Sequence, residues 1–280
     1  MKCLTLNTHS WHETNQLEKI SQLADYINQQ QFDIIALQEV NQSMSESAVD
    51  EVTLEESRYY ATDAHVMIRQ NNFAYVLLQQ LSSDYHWTWV PTHQTRHTYD
   101  EGLAILTRTP IVQASYDFVS QLQDYNNYRT RRLLMVQTEI NGQPVWIADG
   151  HYGWWHDEEH FRGQWDRTEE LLAPYQDQLI FMLGDLNNVA EIRDEGYDYV
   201  MSKGWFDTYT LAKVKDDGHT VVKAIAGWEN NATHLRIDYI LTNRSLPVHS
   251  STVALNGVNG AIVSDHLGVA VELDLESFYE

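Results

Sequence analysis

One cysteine in 280 residues, Cys3, excludes an internal disulfide. No stretch approaches 18 apolar residues, so no transmembrane helix is expected. The apolar run near the N-terminus is also too short for the core of a signal peptide. These absences favour a cytoplasmic protein, with Cys3 a small hydrophobe in a buried strand. Basic residues are scarce: 18 Lys and Arg face 40 Asp and Glu, a formal charge of -22. Nucleic-acid binding draws heavily on phosphate neutralisation by Lys and Arg, so duplex nucleic acid is disfavoured as a partner. The densest basic cluster, Arg129-Thr130-Arg131-Arg132, suffices for one phosphate group. His-Glu-x-x-His and paired cysteines are missing, which removes the zinc motifs. Gly-x-x-x-x-Gly-Lys-Ser/Thr and Gly-x-Ser-x-Gly are missing too, which removes the nucleotide P-loop and the serine-hydrolase elbow.

The residues present are those of an ordinary globular chain, 43% hydrophobic and 21% charged. Strand patterns alternate with helix patterns along its length. Strands are predicted over Lys2–Thr8, Phe32–Leu37, Tyr85–Val90, Gly102–Leu106, Leu133–Ile140, Val145–Ala148 and Leu179–Leu183. Three more follow near Ile237–Leu241, Val248–Leu255 and Gly268–Leu273. Asn141-Gly142 marks a hairpin. Leu17, Ile20, Leu23 and Ile27 recur at helical spacing behind Thr14 or Asn15 as a cap, and Phe73–Leu81 reads as a short amphipathic helix. The segment from Asn41 to about Arg69 reads as loop with some helix. About ten strands are too many for one open sheet. Two mixed sheets packed face to face with helices outside, an α/β/β/α sandwich in one domain over residues 1–280, fit the count.

Polar residues collect at the ends of these strands. Asn7 ends the first and Glu39 follows the second; Glu101 opens the strand before Thr107. His151 follows Trp146–Gly150, and Asp185 and Asn187 follow Leu179–Gly184. Asp238 lies inside an otherwise apolar strand, and Asp265-His266 follows Ile262–Ser264. Each has a plain structural explanation: Gly-Asp-x-Asn is also an ordinary Asx turn. Seven strand ends offering Asp, Glu, Asn or His point instead to convergence on one rim. Hard oxygen ligands suit Mg²⁺ or Mn²⁺, and a histidine oriented by Asp238 or Asp265 suits proton transfer. Together they form a kit for metal-assisted phosphoester hydrolysis.

The ordered set Thr5-Leu6-Asn7, Leu37-Gln38-Glu39, Glu101-Gly102-Leu103-Ala104-Ile105-Leu106, Gly150-His151, Gly184-Asp185-Leu186-Asn187, Ile237-Asp238-Tyr239-Ile240 and Ser264-Asp265-His266 resembles the endonuclease/exonuclease/phosphatase superfamily. The resemblance implies a four-layer α/β sandwich and a divalent-metal phosphoesterase. It implies that Asn7 and Glu39 hold the metal with Asp265 close by, that Asp185 positions or deprotonates water, and that Asn187 binds phosphate. It implies that His151, oriented by Glu101, stabilises the phosphoryl oxygens or helps protonate the leaving group. His266, oriented by Asp238, would be the second catalytic imidazole. Arg131 or Arg132 matches the phosphate-contacting arginine; spacing does not choose between them.

Leu6-Asn7-Thr8-His9-Ser10-Trp11, Asp149-Gly150-His151-Tyr152-Gly153-Trp154-Trp155, Gly163-Gln164-Trp165-Asp166-Arg167 and Asp207-Thr208-Tyr209 resemble a Firmicute cytoplasmic subgroup that includes maltose 6'-phosphate phosphatases. That resemblance implies a phosphorylated sugar as substrate. Trp154, Trp155 and Trp165 could stack on sugar rings or pack a loop onto the sandwich. Tyr99-Asp100 could complete a polar pocket or form a turn. Two other readings stand beside the sugar phosphatase: a nuclease or other phosphodiesterase, and a catalytically inactive binding module.

Overall fold

The alternation of Lys2–Asn7 sends Leu4 and Leu6 to one face of a strand and Cys3 to the other, and both faces are buried. A computed structural model describes residues 1–229 and 234–275 and shows why. In chain order its elements are β1 (Lys2–Asn7), α1 (Gln16–Gln30), β2 (Ile34–Ser43), α2 (Glu51–Glu56), α3 (Phe73–Leu78), β3 (His86–Thr95), β4 (Tyr99–Thr107), β5 (Ile111–Phe118), β6 (Arg132–Ile140), β7 (Gln143–His151), α4 (Phe161–Leu172), β8 (Leu179–Asp185), α5 (Gly196–Ser202), β9 (Phe206–Asp207), α6 (Thr208–Leu211), β10 (Val214–Lys215), β11 (Asp238–Thr242), β12 (Val248–Ala254) and β13 (Gly268–Leu273).

Seven strands form one sheet in the order β10-β12-β13-β1-β2-β4-β3, and six form the other in the order β5-β6-β7-β8-β11-β9. Three apolar layers hold the stack together. Between the sheets lie Cys3, Ile34, Ala36 and Ile105 with Leu134, Ile147, Phe181 and Leu183. Outside the first sheet, Ile20, Leu23, Ala24 and Ile27 of α1 cover Leu4, Leu6, Ile35 and Leu37. Outside the second, Phe161 and Trp165 of α4 and Val200 of α5 cover Trp146, Ala148, Ile180 and Met182. Helix, sheet, sheet, helix is the predicted order of layers.

The predicted elements recur with shifted ends. β2 runs on to Ser43, α3 stops at Leu78, and β4 starts at Tyr99. β5, unpredicted, is an edge strand of intermediate exposure whose apolar signal is weak. Asn141 and Gly142 turn the β6–β7 hairpin with positive φ of 53° and 73°. Asn15 precedes α1 in the left-handed region and makes no side-chain cap. Trp165, one of the tryptophans offered for sugar stacking, is fully buried between α4 and the sheet. Among the described residues, no helix is long and apolar enough to cross a membrane.

Candidate active site

Three neighbouring strands of the second sheet end in one row. β7 and β8 run parallel with Gly150 opposite Gly184 and His151 opposite Asp185, and antiparallel β11 sets Asp238 opposite Asp185. The two glycines are required there. A Cβ on Gly184 would lie 2.0 Å from the Gly150 carbonyl oxygen, and its φ is 138°. Across the sandwich, β1 ends at Asn7 beside Gln38 of β2. The pairing of β2 with β4 shifts register between Leu37 and Val40, and Glu39 sits inside that bulge with φ of 50°. The bulge aims the Glu39 carboxylate at the rim where the second sheet presents Asp185.

The Asn7 amide nitrogen donates to Oε1 of Glu39 at 2.9 Å and to Oδ2 of Asp185 at 3.1 Å, tying the two sheets together at the site. The Asn7 oxygen accepts from the His9 backbone N–H at 3.1 Å, so ligating a metal through it requires the carboxamide to turn over. Asp185 Oδ1 accepts from the Asn187 N–H at 2.8 Å. The strand end is thus an Asx turn and part of the polar rim at once. Asn188 serves the turn, donating to the carbonyls of Leu186 and Gly153.

The two histidines flank Asp185. His151 Nε2 is 3.6 Å and His266 Nε2 3.7 Å from its Oδ2. The Asn187 amide nitrogen donates to Nε2 of His151 at 3.2 Å and to the Tyr152 carbonyl at 3.0 Å, while the Asn187 oxygen accepts from the indole N–H of Trp228 at 3.1 Å. His151 is therefore neutral with an accepting Nε2. Burial, reinforced by Arg131, His266 and His93, holds its pKa well below the usual histidine range. His266 is the opposite case. Its Nδ1 lies 3.0 and 3.2 Å from the two oxygens of Asp238. Burial opposes its charge, but Asp238 and Asp185 outweigh burial and push its pKa up to about 10. Asp185 is raised to about 7, first by burial and then by Asp238.

Arg131, Glu39, Glu101, His151, Asp185, Asn187, His266 and Trp154 all line one cleft of about 630 Å³. Arg131 is 4% exposed and its Nε has no hydrogen-bond partner. Arg132 points elsewhere: it donates to the Pro91 carbonyl at 2.7 Å and lies over the rings of Phe118 and Tyr116. Asp238 stands behind His266, and Asp265 lies beside His9 and Glu13. Three sequence expectations are not met by position. Tyr99 packs edge-on against His12, outside the cleft lining. Trp155 packs on Phe161 and Tyr199, also outside it. Glu101 pairs with His93, its Oε1 lying 3.4 Å from Nε2, rather than with His151.

The structure adds cleft residues that the sequence did not single out: His93, Thr95, Tyr128, His156, Asp157, Gly227 and Glu229. The Asp207-Thr208-Tyr209 motif proves structural, since Asp207 holds the buried guanidinium of Arg236 at 2.8 Å among three tyrosine rings. Gln164 secures the loop after His151, accepting from the Gly153 N–H at 2.9 Å and donating to the Glu159 carbonyl at 2.8 Å.

Among the described residues, two groups of side chains bring three metal-binding atoms together: Asp185, Asp238 and His266, and His9, Glu13 and Asp265. The first already balances its charge with an imidazolium between carboxylates. Glu39 is different. Burial, then the neighbouring Glu101, pushes its carboxyl up to about 7, and Asp265 adds to the shift. Glu39 is half-buried, and a carboxylate withdrawn from water without a full counter-charge is what a hard divalent cation relieves, so the donor set fits one.

A family model described as the endonuclease/exonuclease/phosphatase family matches residues 11–266. A protein of that family from Leptotrichia buccalis C-1013-b is 35% identical, with 98% of this chain and 99% of that chain covered at a TM-score of 0.86. The fold is shared with a mannosyl-6-phosphatase of Bacteroides thetaiotaomicron VPI-5482, 16% identical with 98% and 99% coverage at a TM-score of 0.64. It is shared also with a humanized D. rerio TDP2, 14% identical with 98% coverage of each chain at a TM-score of 0.60. No curated protein matches the chain. The matched span contains Glu39, Asp185 and both histidines of the site, and the chain belongs to the endonuclease/exonuclease/phosphatase family, whose members hydrolyse phosphate esters.

Proposed function

We propose that the protein is a divalent-metal-dependent phosphomonoesterase that hydrolyses a phosphorylated sugar. The observation that carries this reading is the cleft itself. Arg131 is the one Lys or Arg among its described lining residues, facing Asp185, Asn187, His151 and His266. One buried guanidinium is matched to one phosphoryl group. The rest of the lining and the net charge of -22 disfavour a polyanion. The mannosyl-6-phosphatase with the same fold supports a sugar phosphate as the substrate class. The resemblance to maltose 6'-phosphate phosphatases supports, within that class, a substrate like maltose 6'-phosphate.

Glu39, with Asp265 nearby and Asn7 if its carboxamide turns over, would hold Mg²⁺ or Mn²⁺. Bound there, the cation supplies charge neutralisation for the phosphoryl oxygens and lowers the pKa of water. The protein's own groups divide the remaining work. Asp185, poised near neutrality, accepts a proton from the attacking water. His266, kept cationic between Asp238 and Asp185, faces the charge that develops on the phosphoryl group. His151 is neutral, so it orients rather than donates a proton through Nε2. Arg131 and the fixed Asn187 carboxamide hold the phosphoryl oxygens. Asp185 thus takes the proton of the water, and the cationic His266 is the source of the proton that the departing alcohol oxygen needs.

A phosphate-release screen over sugar phosphates, nucleotides and inositol phosphates, run beside a plasmid-nicking assay, tests the reading. Sugar phosphates should lead the screen. Plasmid cleavage faster than any sugar-phosphate hydrolysis would place the protein among the nucleases instead.

A further inference from the structure

His93 takes no part in the chemistry above, yet it is 2% exposed and lines the same cleft. It lies on β3 opposite Glu101 of β4, directly after a register shift between Pro91 and His93. The irregularity redirects the side chain at a sheet rim, as bulges beside functional sites do. Its Nε2 stands 3.4 Å from the Glu101 carboxylate and its Nδ1 3.2 Å from Oγ1 of Thr92. Burial, then Arg131, holds His93 down to about 3, so the imidazole is uncharged at neutral pH. The Thr92 hydroxyl donates to the Glu101 carbonyl at 3.0 Å, so Nδ1 donates to Oγ1 and Nε2 is left as an acceptor, which with the facing Glu101 carboxyl group lies within one hydroxyl's reach.

The surroundings select what would meet that pair. The cleft, at about 630 Å³, has the size of a small-molecule site and holds far more than a phosphoryl group. Its carboxylates Glu39, Glu101, Asp157, Asp185 and Glu229 face Arg131 as the sole Lys or Arg of the described lining. Asp157 is already paired with Arg129 at 2.9 Å. A second phosphoryl group on the substrate would find no free cation. A neutral, hydroxyl-rich leaving group would find hydrogen-bond partners.

We propose that His93 and Glu101 form a hydroxyl-recognition subsite for the leaving group, which makes His93 a specificity-determining residue for neutral polyhydroxylated alcohols. The inference rests on the phosphomonoesterase reading and adds to it the residue that reads the alcohol. A polar pair built to bond a hydroxyl discriminates strongly against a substrate lacking one, because its own groups are then left unpaired.

The test compares kcat/KM for a hexose 6-phosphate and for p-nitrophenyl phosphate in the wild type, His93→Phe and His93→Gln, each checked by thermal melting. His93→Phe should lower kcat/KM for the sugar phosphate about ten-fold more than for the aryl phosphate, chiefly through KM. His93→Gln, which keeps a donor and an acceptor, should recover part of that loss. The wild type should also prefer the hexose monophosphate to the hexose 1,6-bisphosphate by about ten-fold or more. Equal losses on both substrates, or no bisphosphate discrimination, would overturn the subsite while leaving the phosphomonoesterase reading intact. Should the His93→Phe variant fail to fold, the His93→Gln variant and the bisphosphate comparison decide. A wild type inactive on every monoester overturns both readings together.

Discussion

Asp185 lies within 3.7 Å of two imidazoles that its surroundings drive to opposite proton states. Its removal should therefore be felt in the chemical step. Asp185→Asn is expected to lower kcat about 10²–10⁴-fold, the usual worth of a positioned general base. Steady-state kinetics beside a thermal melt separates that loss from unfolding. If Asp185→Ala and Glu39→Gln both left activity unchanged, the site would lie elsewhere. The arginines give a paired prediction. Arg131→Ala should reduce kcat/KM on the order of 100-fold through lost phosphoryl binding. Arg132→Ala should instead act on stability, about 1 kcal/mol in urea unfolding, through its rings and the Pro91 carbonyl. Spacing could not separate these neighbours. β6 begins at Arg132, and adjacent positions at its start point to opposite sides.

At the scale of elements, the strand ends were the legible part. Apolar runs ending in Asn7, His151 and Asp185 announced themselves, because a buried strand has no reason to finish in polar groups unless they are used. The shifts in strand pairing were not legible. Glu39 depends on the irregularity between Leu37 and Val40, and His93 on that between Pro91 and His93; both arise from how β4 pairs with its neighbours. Trp228, which fixes the Asn187 carboxamide, comes from a loop far along the chain with no local pattern to mark it. The Gly150–Gly184 contact makes its own prediction. Gly184→Ala should destabilise the protein by about 2–4 kcal/mol in urea unfolding, since a Cβ there meets backbone and φ is strained. A Gly184→Ala protein as stable as the wild type would contradict the tight β7–β8 junction.

Across the whole molecule, the sheets are joined beneath the site by a buried polar contact, Gln38 Nε2 donating to Oδ1 of Asp149 at 2.6 Å. Asp149 Oδ2 has no partner, and burial raises its carboxyl well above the usual range despite Gln38. The folded protein thus keeps this proton after the unfolded chain, near pH 3.9, has released it. The group's contribution is full below that pH and is lost as pH rises toward the folded pKa. Asp149→Asn cannot ionise, so its stability relative to the wild type should rise as pH increases above about 4, by up to about 1.4 kcal/mol per pH unit until the folded pKa is passed. Urea unfolding at several pH values reads the difference, and a gap independent of pH would show that Asp149 is ionised in the fold. Metal-assisted removal of a single phosphoryl group from a sugar stands or falls on phosphate release from a hexose 6-phosphate during Mg²⁺ titration of chelator-stripped protein. The enzyme should show no turnover without the cation, saturable recovery as Mg²⁺ is added, and no recovery in Glu39→Gln over the same range. Turnover that persists in chelator, or a Glu39→Gln variant that titrates like the wild type, would contradict it.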